Sequence, residues 1–538
     1  MDRRSFCEAG AAVAALLSLD GTSCAPKPPA APSPIDVPHG ELEEATIADL
    51  AAKMQRNETS AARLVEQYLE RIDALDRKGP ALSSVLELDP DAHAVAAALD
   101  AERRTRGPRG PLHGIPLLVK DNIDTAGRTH TTAGSLALAG APVAADAEVV
   151  RRLRQAGAVL LGKANLSEWA NIRSSHSTSG WSAVGGLTKN PYALDRNASG
   201  SSSGSAVAVA ANLCAVALGT ETDGSIVSPA SICGIVGLKP TVGLVSRNGI
   251  VPIAHSQDTA GPMTRTVADA ALVLSVIAGA DARDPATEAQ RGHAPFDVAA
   301  ALRPGGARGK RIGVVRGFAN IARSTTAIFD AAVEELRRLG AVVVDPVSLG
   351  ATSKLDDPEL EVLLYELKAD MAAYLATRSG IPAKSLADLL KFDREHARDE
   401  LRYFGQELFE QANDKGSLDS ARYREALSTC RRLARDEGID LALRTHSLDL
   451  LIAPTGGPAW LTDLVNGDAY TGSSSTPAAV AGYPSITVPA GALRGLPIGV
   501  SFFGAAFSEA TLISVAHDFE QATRRRQKPQ YWPTVPPS

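Results

Sequence analysis

The chain has 538 residues, of which 44% are hydrophobic and 22% charged, and its formal net charge is −6. This composition excludes a wholly disordered chain, and the acidic balance argues against nucleic acid or an anionic membrane as the main partner. No apolar run reaches about 18 residues, so we expect no membrane-spanning helix in the mature protein. The cysteines form no cluster, which excludes a zinc site and a disulfide framework; they are Cys7, Cys24, Cys214, Cys233 and Cys430.

The first 38 residues have the layout of an export signal followed by a spacer. Arg3 and Arg4 precede an apolar stretch at residues 9–19, and small residues surround Cys24. A paired arginine before such a stretch predicts a twin-arginine signal and a periplasmic location, although an alanine-rich helix gives a similar pattern. Lipid attachment at Cys24 is the less favoured alternative because leucine is missing three positions before it.

The composition changes along the chain predict its domain organisation. Residues 25–38 contain six prolines, which predicts an extended, disordered spacer. We therefore assign residues 1–38 to the export signal and spacer, and residues 39–538 to a single domain. Within that domain, residues 41–105 show helical apolar spacing, and residues 355–445 are charged and helical, which indicates a helical insert.

Between these helical regions, short apolar runs alternate with helical patterns. A strand at residues 114–120, a helix at 148–157 and a strand at 158–162 give a βαβ-like order. This order predicts an α/β fold in which helices cover a sheet. The other predicted strands are residues 213–219, 309–316, 340–347, 449–453, 485–489 and 498–503, and the other predicted helices are residues 206–212, 325–339 and 508–523.

Residues 199–205 are all glycine or serine and admit three interpretations. A flexible linker is the usual meaning of such a run, but this run joins an apolar segment that requires burial. A phosphate-binding loop would need a following Gly-Lys-Ser or Gly-Lys-Thr, which is missing. A nucleophile elbow at Ser202 would need a preceding strand, and Pro191 with many polar groups makes residues 189–198 a poor strand.

A second serine-containing turn, residues 219–230, follows a buried apolar strand. A strand-to-turn transition rich in small residues can direct several backbone N–H groups at one point, as an oxyanion hole requires. Ser225 in this turn needs a base, and Lys120, at the end of an apolar run, is the best candidate. Burial lowers a lysine pKa and makes neutral amine available; the alternative is a solvated lysine or an ion pair with Asp121.

Motifs that occur in order along the chain resemble those of the amidase signature family of serine hydrolases. They are residues 114–121, 162–168, 190–192, 199–205, 219–230, 237–246, 258–262, 481–485 and 495–499. The resemblance covers roughly residues 44–525, and within the family the bacterial peptide amidases are most similar. It implies an amidase signature fold, in which helices cover both faces of a central, mixed, twisted sheet that carries a helical insert.

The resemblance also implies the catalytic residues. Ser225 would be the nucleophile, Lys120 the ultimate base and Ser201 the relay between them, with a cis peptide bond between Gly200 and Ser201. No metal and no cofactor are implied. The oxyanion hole would consist of the backbone N–H groups of Thr222, Asp223, Gly224 and Ser225.

Three positions depart from the common pattern of the family. Ser199 and Ser203 stand where glycine is usual, and neither is a catalytic position. Asp223 also replaces a glycine that many members have. Its carboxylate would add negative charge near the developing oxyanion, so we expect the oxyanion hole to differ in detail from that of the family.

By the same resemblance, we expect hydrolysis of carboxamide C–N bonds through an acyl-enzyme on Ser225. The first candidate substrate is the C-terminal amide of peptides, with ammonia as product. Other acylamides or aryl amides are alternatives, and so is a non-catalytic binding protein of this fold. An amidotransferase subunit fits poorly with an export signal. We expect a monomer that binds small peptide amides and no nucleic acid.

Other candidate residues have structural interpretations. We expect Lys163 to be structural and Asp258 to order a turn through backbone hydrogen bonds. Trp169 and Trp460 either line a substrate cleft or pack in the core. The remaining serines of the glycine–serine run are expected to form hydrogen bonds within the loop; they are Ser202, Ser203 and Ser205.

Overall fold

The computed structural model describes residues 33–140, 142–293, 296–321 and 323–535. The export signal that we predict lies almost entirely in residues 1–32, outside the described residues. No helix in the described part of the chain has both the length and the apolar character needed to cross a membrane.

Most strands of the described residues join one large sheet. The strands are β1 (Val85–Leu88), β2 (Pro116–Lys120), β3 (Val159–Ala164), β4 (Trp181–Ser182), β5 (Gly186–Leu187), β6 (Val216–Glu221), β7 (Val236–Lys239), β8 (Thr259–Thr264), β9 (Arg311–Val314), β10 (Val342–Val344), β11 (Leu450–Pro454), β12 (Ser485–Leu493) and β13 (Leu496–Phe503). The large sheet has the order β1-β3-β2-β6-β8-β7-β12-β13-β11-β9-β10, and β4 pairs with β5 separately. Parallel and antiparallel pairs are mixed, as predicted.

Helices precede, connect and follow these strands. The α-helices are α1 (Ile47–Gln55), α2 (Ala61–Arg71), α3 (Ala92–Arg106), α4 (Glu148–Gln155), α5 (Ser203–Ala210), α6 (Val227–Ile232), α7 (Val267–Ile277), α8 (Val298–Ala301), α9 (Arg323–Arg338), α10 (Asp356–Thr377), α11 (Leu386–Glu395), α12 (Ala397–Glu400), α13 (Glu407–Asn413), α14 (Ala421–Arg431), α15 (Asp440–His446), α16 (Thr476–Ala481) and α17 (Glu509–Thr523). Two π-helical segments, Ile72–Arg77 and Arg432–Ile439, extend α2 and α14.

The predicted βαβ unit is confirmed. β2 and β3 are parallel, and α4 lies between them in the chain. β6 is the other parallel neighbour of β2. Every residue of these three strands is buried, as expected where helices cover both faces of a sheet. The α/β class predicted from the sequence is therefore confirmed.

Several elements escaped the sequence-based prediction, and β1, β8 and α7 show why. β1 lies inside residues 41–105, which we predicted to be helical. β8 contains Gly261 and Pro262, which weaken any strand pattern, although the strand is wholly buried. α7 is buried on most of its surface, so it lacks the polar face by which an amphipathic helix is recognised.

The predicted helical insert is confirmed as a run of helices from α10 to α15. Its side chains contribute to two apolar clusters, both distinct from the main core. One cluster joins Leu364 and Phe409 of the insert to Trp169 of the main chain segment after β3. The insert is therefore fastened to the segment that leads into the glycine–serine run.

Residues 33–38 pack against the protein. Ile35 N donates a hydrogen bond to the Tyr531 carbonyl at 3.1 Å, and the side chains of Ile35 and Val37 contact the main apolar core. The prediction of a disordered spacer is therefore wrong for these residues. Two apolar side chains among the prolines gain enough by burial to hold the segment in place.

Candidate active site

Lys120 lies close to the turn of Ser225 because two parallel strands end side by side. β2 ends at Lys120, and β6 pairs Leu218 with Val119 before it ends at Glu221. The carboxyl ends of adjacent parallel strands share one edge of the sheet, and the crevice at that edge is a common ligand site. The sheet thus brings the predicted base to the turn that carries the predicted nucleophile.

The amine of Lys120 is fully buried and contacts three oxygen atoms. Its Nζ lies 2.7 Å from Ser201 Oγ, 2.8 Å from Thr220 Oγ1 and 3.4 Å from the Thr220 carbonyl oxygen. Burial lowers the pKa of Lys120 to about 7, against the opposing effect of the Asp258 and Glu221 carboxylates. Neutral amine is therefore available near neutral pH, and this is the form that accepts a proton.

Ser201 is held by a tightly packed loop. The Gly200–Ser201 peptide bond is cis, as the family resemblance implies. A Cβ atom on Gly200 would lie 2.2 Å from Ser167 Oγ, so the loop has no room for a side chain there. The Ser201 carbonyl accepts a hydrogen bond from Ser167 N at 3.0 Å. These contacts hold Ser201 in a buried position, with its hydroxyl at hydrogen-bond distance from Lys120 Nζ.

The turn from Thr222 to Ser225 presents four backbone donors. Within the described residues, none of these N–H groups donates a hydrogen bond to another protein group. Gly224 adopts a φ of +76°, a conformation that favours glycine and that lets the chain reverse its direction in this turn. The Ser225 carbonyl accepts a hydrogen bond from Ser202 N at 3.2 Å, which ties the turn to the loop of Ser201. The donors are therefore free to bind an oxyanion.

Asp258 supports the same turn. Its Oδ1 accepts from Thr222 Oγ1 at 2.6 Å, while Oδ2 accepts from the backbone N–H groups of Ile253 and Ala254 at 2.8 and 2.9 Å. The prediction that Asp258 orders a turn is confirmed. Burial raises the pKa of Asp258 to about 6, although these hydrogen bonds oppose the shift.

The carboxyl group of Asp223 is only partly satisfied. Its Oδ2 accepts a hydrogen bond from Thr476 Oγ1 at 2.6 Å. Its Oδ1 is buried and has no hydrogen-bond partner in the described protein. Burial raises the pKa of Asp223, against the lowering effect of the Ser475 and Thr476 hydroxyls, and the Asp356 carboxylate adds to the rise.

Ser225 lies where two cavities meet. The apolar cavity has a volume of about 460 Å³ and is also lined by Ser201. Its apolar lining includes Ala170, Ile250, Val251, Pro252, Ile253, Ala373 and Tyr374, and charged residues such as Arg247 and Asp370 also border it. The polar cavity has a volume of about 620 Å³ and is lined by residues that include Asn171, Asp223, Ser228, Asp356, Trp460, Asp468 and Tyr470. A substrate bound at Ser225 can therefore extend in two directions of different chemistry.

The structural interpretation of Lys163 is confirmed. Its buried amine donates to the Ile123 carbonyl at 2.7 Å and to Thr131 Oγ1 at 2.9 Å, and lies 3.5 Å from Asp121. It lines neither cavity. Burial lowers its pKa, as it does for Lys120, so the contact of Lys120 with Ser201, and not the direction of the pKa shift, separates the two lysines.

The other serines of the run form hydrogen bonds within the protein, as predicted. Ser202 Oγ donates to the Thr220 carbonyl at 3.1 Å. Ser203 Oγ donates to the Ser199 carbonyl at 2.6 Å, and Ser205 Oγ to the Leu218 carbonyl at 2.9 Å. Ser202 is fully buried and no strand of the structure covers residues 189–198, so the nucleophile elbow is excluded.

The two tryptophans, Trp169 and Trp460, occupy different environments. Trp169 is buried in the apolar cluster of the insert, where its ring packs edge-on against Phe409. Trp460 packs in the main core and also lines the polar cavity, and its Nε1 donates to Asp468 Oδ1 at 3.2 Å.

Two residues at the site were not singled out from the sequence. Thr220 Oγ1 accepts hydrogen bonds from both Lys120 Nζ and Asn122 Nδ2, the latter at 2.9 Å. Both positions were visible, since Thr220 lies within the turn motif and Asn122 lies two residues after Lys120. No pattern in a single sequence shows that their side chains meet at the lysine.

One group of side chains has a composition that metals favour. His255, Glu366 and Asp370 present ligand atoms within 4.8 Å of one another. These atoms already have partners: His255 Nδ1 lies 2.8 Å from Asp370 Oδ2, and Glu366 Oε1 accepts from Tyr423 OH at 2.7 Å. The group therefore joins the loop after β7 to the insert, and we assign no metal to it.

Comparison with known proteins agrees with this geometry. The amidase family profile matches residues 63–513. The native peptide amidase from Stenotrophomonas maltophilia is 54% identical, with a TM-score of 0.88 over 91% of this chain and 99% of that chain. Peptide amidase PAM in complex with the competitive inhibitor chymostatin is 55% identical, with a TM-score of 0.88 over 90% of this chain and 99% of that chain. An amidase family protein from Bacillus anthracis is 35% identical, with a TM-score of 0.83 over 91% of this chain and 93% of that chain. The chain belongs to the amidase family and is an amidase, an enzyme that hydrolyses carboxamide C–N bonds.

Proposed function

We propose that this amidase hydrolyses the C-terminal carboxamide of short peptides through an acyl-enzyme on Ser225. The observation that carries the proposal is the 2.7 Å contact between Lys120 Nζ and Ser201 Oγ, beside a cavity that Ser201 shares with Ser225. The likeness to a peptide amidase over nine-tenths of the chain supports the choice of substrate.

The proposed reaction moves one proton along the three side chains. Neutral Lys120 accepts the Ser201 proton while Ser201 accepts the proton of Ser225, whose Oγ attacks the carboxamide carbon. The four N–H groups from Thr222 to Ser225 bind the resulting oxyanion. The proton then returns through Ser201 to the amide nitrogen, the C–N bond breaks and ammonia leaves.

The second half of the reaction uses the same groups. Ser201 takes a proton from water, whose oxygen attacks the ester carbon of the acyl-enzyme. Collapse of this second tetrahedral intermediate returns the proton to Ser225 and releases the peptide acid. Each half begins with Lys120 neutral, so a general base with a pKa near the working pH serves both halves.

The two cavities support a peptide amide over a simple acylamide. The apolar cavity can hold the side chain of the C-terminal residue, whereas the polar cavity offers hydrogen-bonding groups to the peptide backbone. A fatty acid amide would leave the buried acceptors of the polar cavity without partners, which costs free energy. An aryl amide would leave most of that cavity unused.

The test is a screen for ammonia release from four substrate classes at equal concentration. They are dipeptide amides, fatty acid amides, aryl amides and glutamine. We expect the highest kcat/KM for dipeptide amides and no release by Ser225→Ala. A higher kcat/KM for a fatty acid or aryl amide would overturn the assigned substrate class, and normal turnover by Ser225→Ala would overturn the assigned nucleophile. A serine-directed fluorophosphonate should label the wild type and not the variant.

We also propose that the protein is exported in folded form, because Arg3 and Arg4 precede an apolar stretch in the manner of a twin-arginine signal. The test is a fusion of residues 1–38 to a reporter that is active only when exported folded. Replacement of both arginines by lysine should abolish export of the reporter. Undiminished export of that variant would contradict the twin-arginine assignment.

A further inference from the structure

The polar cavity beside Ser225 is acidic. Among the residues that the structure describes, its lining includes three aspartates, one histidine and no lysine or arginine. The aspartates are Asp223, in the oxyanion turn, Asp356, at the start of α10, and Asp468, in the loop before α16. A cavity with this lining favours a positively charged ligand over a neutral or negative one.

The three aspartates differ in the hydrogen-bond partners of their carboxyl groups. Asp468 already accepts hydrogen bonds from Ser179 N at 3.0 Å, from Asn197 Nδ2 at 3.3 Å and from Trp460 Nε1 at 3.2 Å, so it organises the cavity wall. Asp223 instead has one buried oxygen, Oδ1, to which no described residue donates at normal hydrogen-bond geometry, although the nearby Ser475 hydroxyl lowers the pKa of this carboxyl. A buried acceptor without a donor is costly unless a ligand supplies one.

Two further features of the lining suit a cation. Asn171 Oδ1 is a second buried acceptor to which no residue of the described part of the chain donates a hydrogen bond. The rings of Trp460 and Tyr470, which both line the cavity, meet edge to face with centroids 5.6 Å apart. Aromatic faces attract ammonium groups. Acceptors without donors and an aromatic pair are thus gathered next to the nucleophile.

We propose that the polar cavity binds the α-ammonium group of a dipeptide amide, with Asp223 as its main partner and Asp356 adding negative charge at the rim. This inference rests on the proposed function and specifies its substrate. In an extended dipeptide amide, the ammonium nitrogen lies roughly 6–7 Å from the scissile carbonyl. Asp223 lies two residues from Ser225 in the same turn, which suits a partner at that range.

The test uses two substrates that differ only at this group. Glycyl-phenylalaninamide carries an ammonium where propionyl-phenylalaninamide carries a methyl group, and both have the same scissile amide. At pH 7, we expect the wild type to hydrolyse the glycyl substrate with a kcat/KM at least about tenfold higher than that of the propionyl substrate. The ratio of the two values removes any effect that a variant has on the chemistry itself.

Three variants locate the origin of that ratio. Asp223→Asn should bring the ratio to within about twofold of one, and Asp356→Asn should lower it by a smaller factor. Asp357→Asn is the matched control, because Asp357 is exposed beside Asp356 and does not line the cavity. Its ratio should equal that of the wild type. If Asp223→Asn does not fold, the ratio measured for Asp356→Asn tests the ammonium subsite by itself: a lowered ratio supports the subsite, and an unchanged ratio contradicts it.

The outcomes separate this inference from the proposed function. Ammonia release from both substrates with a wild-type ratio of one or less would overturn the ammonium subsite and leave peptide amidase activity intact. A wild-type preference that survives in both cavity variants would overturn the role of the aspartates. Ammonia release from neither substrate, with release from another class of amide, would overturn the proposed function and the subsite together.

Discussion

The segments that carry Lys120, Ser201 and Ser225 and the segments that wall the two cavities are stabilised by different interactions. The catalytic segments are mostly buried, and those of Ser201 and Ser225 consist largely of small residues joined by backbone hydrogen bonds such as Ser202 N to the Ser225 carbonyl. The walls come in part from the insert, which is anchored to the segment after β3 through an apolar cluster and through buried charges. Arg173 pairs there with Glu168 and lies 3.5 Å from Glu400 of α12.

This difference separates the chemistry from the choice of substrate. Backbone contacts between small residues leave little freedom, and preorganised groups are what transition-state stabilisation requires. A wall anchored through ion pairs can vary in sequence without disturbing the strand ends. We therefore expect changes at the catalytic segments to lower kcat, and changes at the anchor of the insert to affect stability and KM.

The largest effect is expected for Ser225→Ala, which removes the nucleophile. kcat should fall by about 10⁴-fold or more, since removal of a catalytic serine leaves only the residual contribution of binding and the oxyanion hole. The thermal unfolding midpoint should change little. Ser202→Ala is the matched control, because Ser202 lies in the same buried region and only bonds the Thr220 backbone. A greater loss in Ser202→Ala than in Ser225→Ala would reverse the assignment of the nucleophile.

The next effect is expected for Lys120→Met, which keeps an apolar stem and removes the amine. kcat should fall by about 10²–10⁴-fold, the usual contribution of a general base. In the wild type, the Lys120 amine is protonated below its pKa of about 7 and neutral above it. kcat/KM should therefore rise as the pH increases through about 7. A wild-type profile that is flat from pH 5 to 9 would contradict Lys120 as the base.

The third prediction concerns the anchor of the insert. Arg173→Met should lower the free energy of unfolding by about 3–5 kcal/mol, because it leaves buried carboxyl groups without their cation. Denaturant unfolding measures the loss, and KM should rise more than kcat falls. Arg432→Ala is the control within the insert: its ion pair with Glu437 is exposed, so its loss should cost less than about 1 kcal/mol. Equal losses in the two variants would contradict the anchoring role.

The smallest effect is expected at Asp393, whose two carboxyl oxygens are buried without partners near the same anchor. Burial raises the pKa of Asp393 to about 7, so the folded protein holds a proton that the unfolded chain has released above about pH 4. Stability should therefore fall as the pH rises from about 4 to 7. Asp393→Asn should show a weaker pH dependence of the free energy of unfolding. An identical dependence in variant and wild type would show that Asp393 does not titrate in this range.

The catalytic edge could be predicted from the sequence because its features are local. Lys120 closes an apolar run, Ser225 follows a buried strand, and the order of the motifs adds Ser201 by resemblance to the family. β8 and α7 could not be predicted, because their burial removes the alternation of polar and apolar residues on which such predictions depend.

The residues that form the cavity walls could not be predicted from the sequence either. Asp223 and Asp356 are 133 positions apart in the numbering, and only the folded insert brings both to one cavity. Arg173 and Glu400 are likewise distant in the sequence, and nothing in either segment marks them as a pair. Long-range contacts between charged side chains leave no periodic signal in one sequence, whereas strand ends and turns do.

Trapping the acyl-enzyme tests the role of Ser225 as the nucleophile most directly. Wild-type enzyme mixed with excess dipeptide amide is quenched in acid within the first turnover and digested, and the acylated peptide is identified by mass spectrometry. We expect the mass of the dipeptide acyl group on Ser225, together with ammonia released in equal amount. An acyl group on Ser201 or Ser202, with Ser225 unmodified during active turnover, would contradict it.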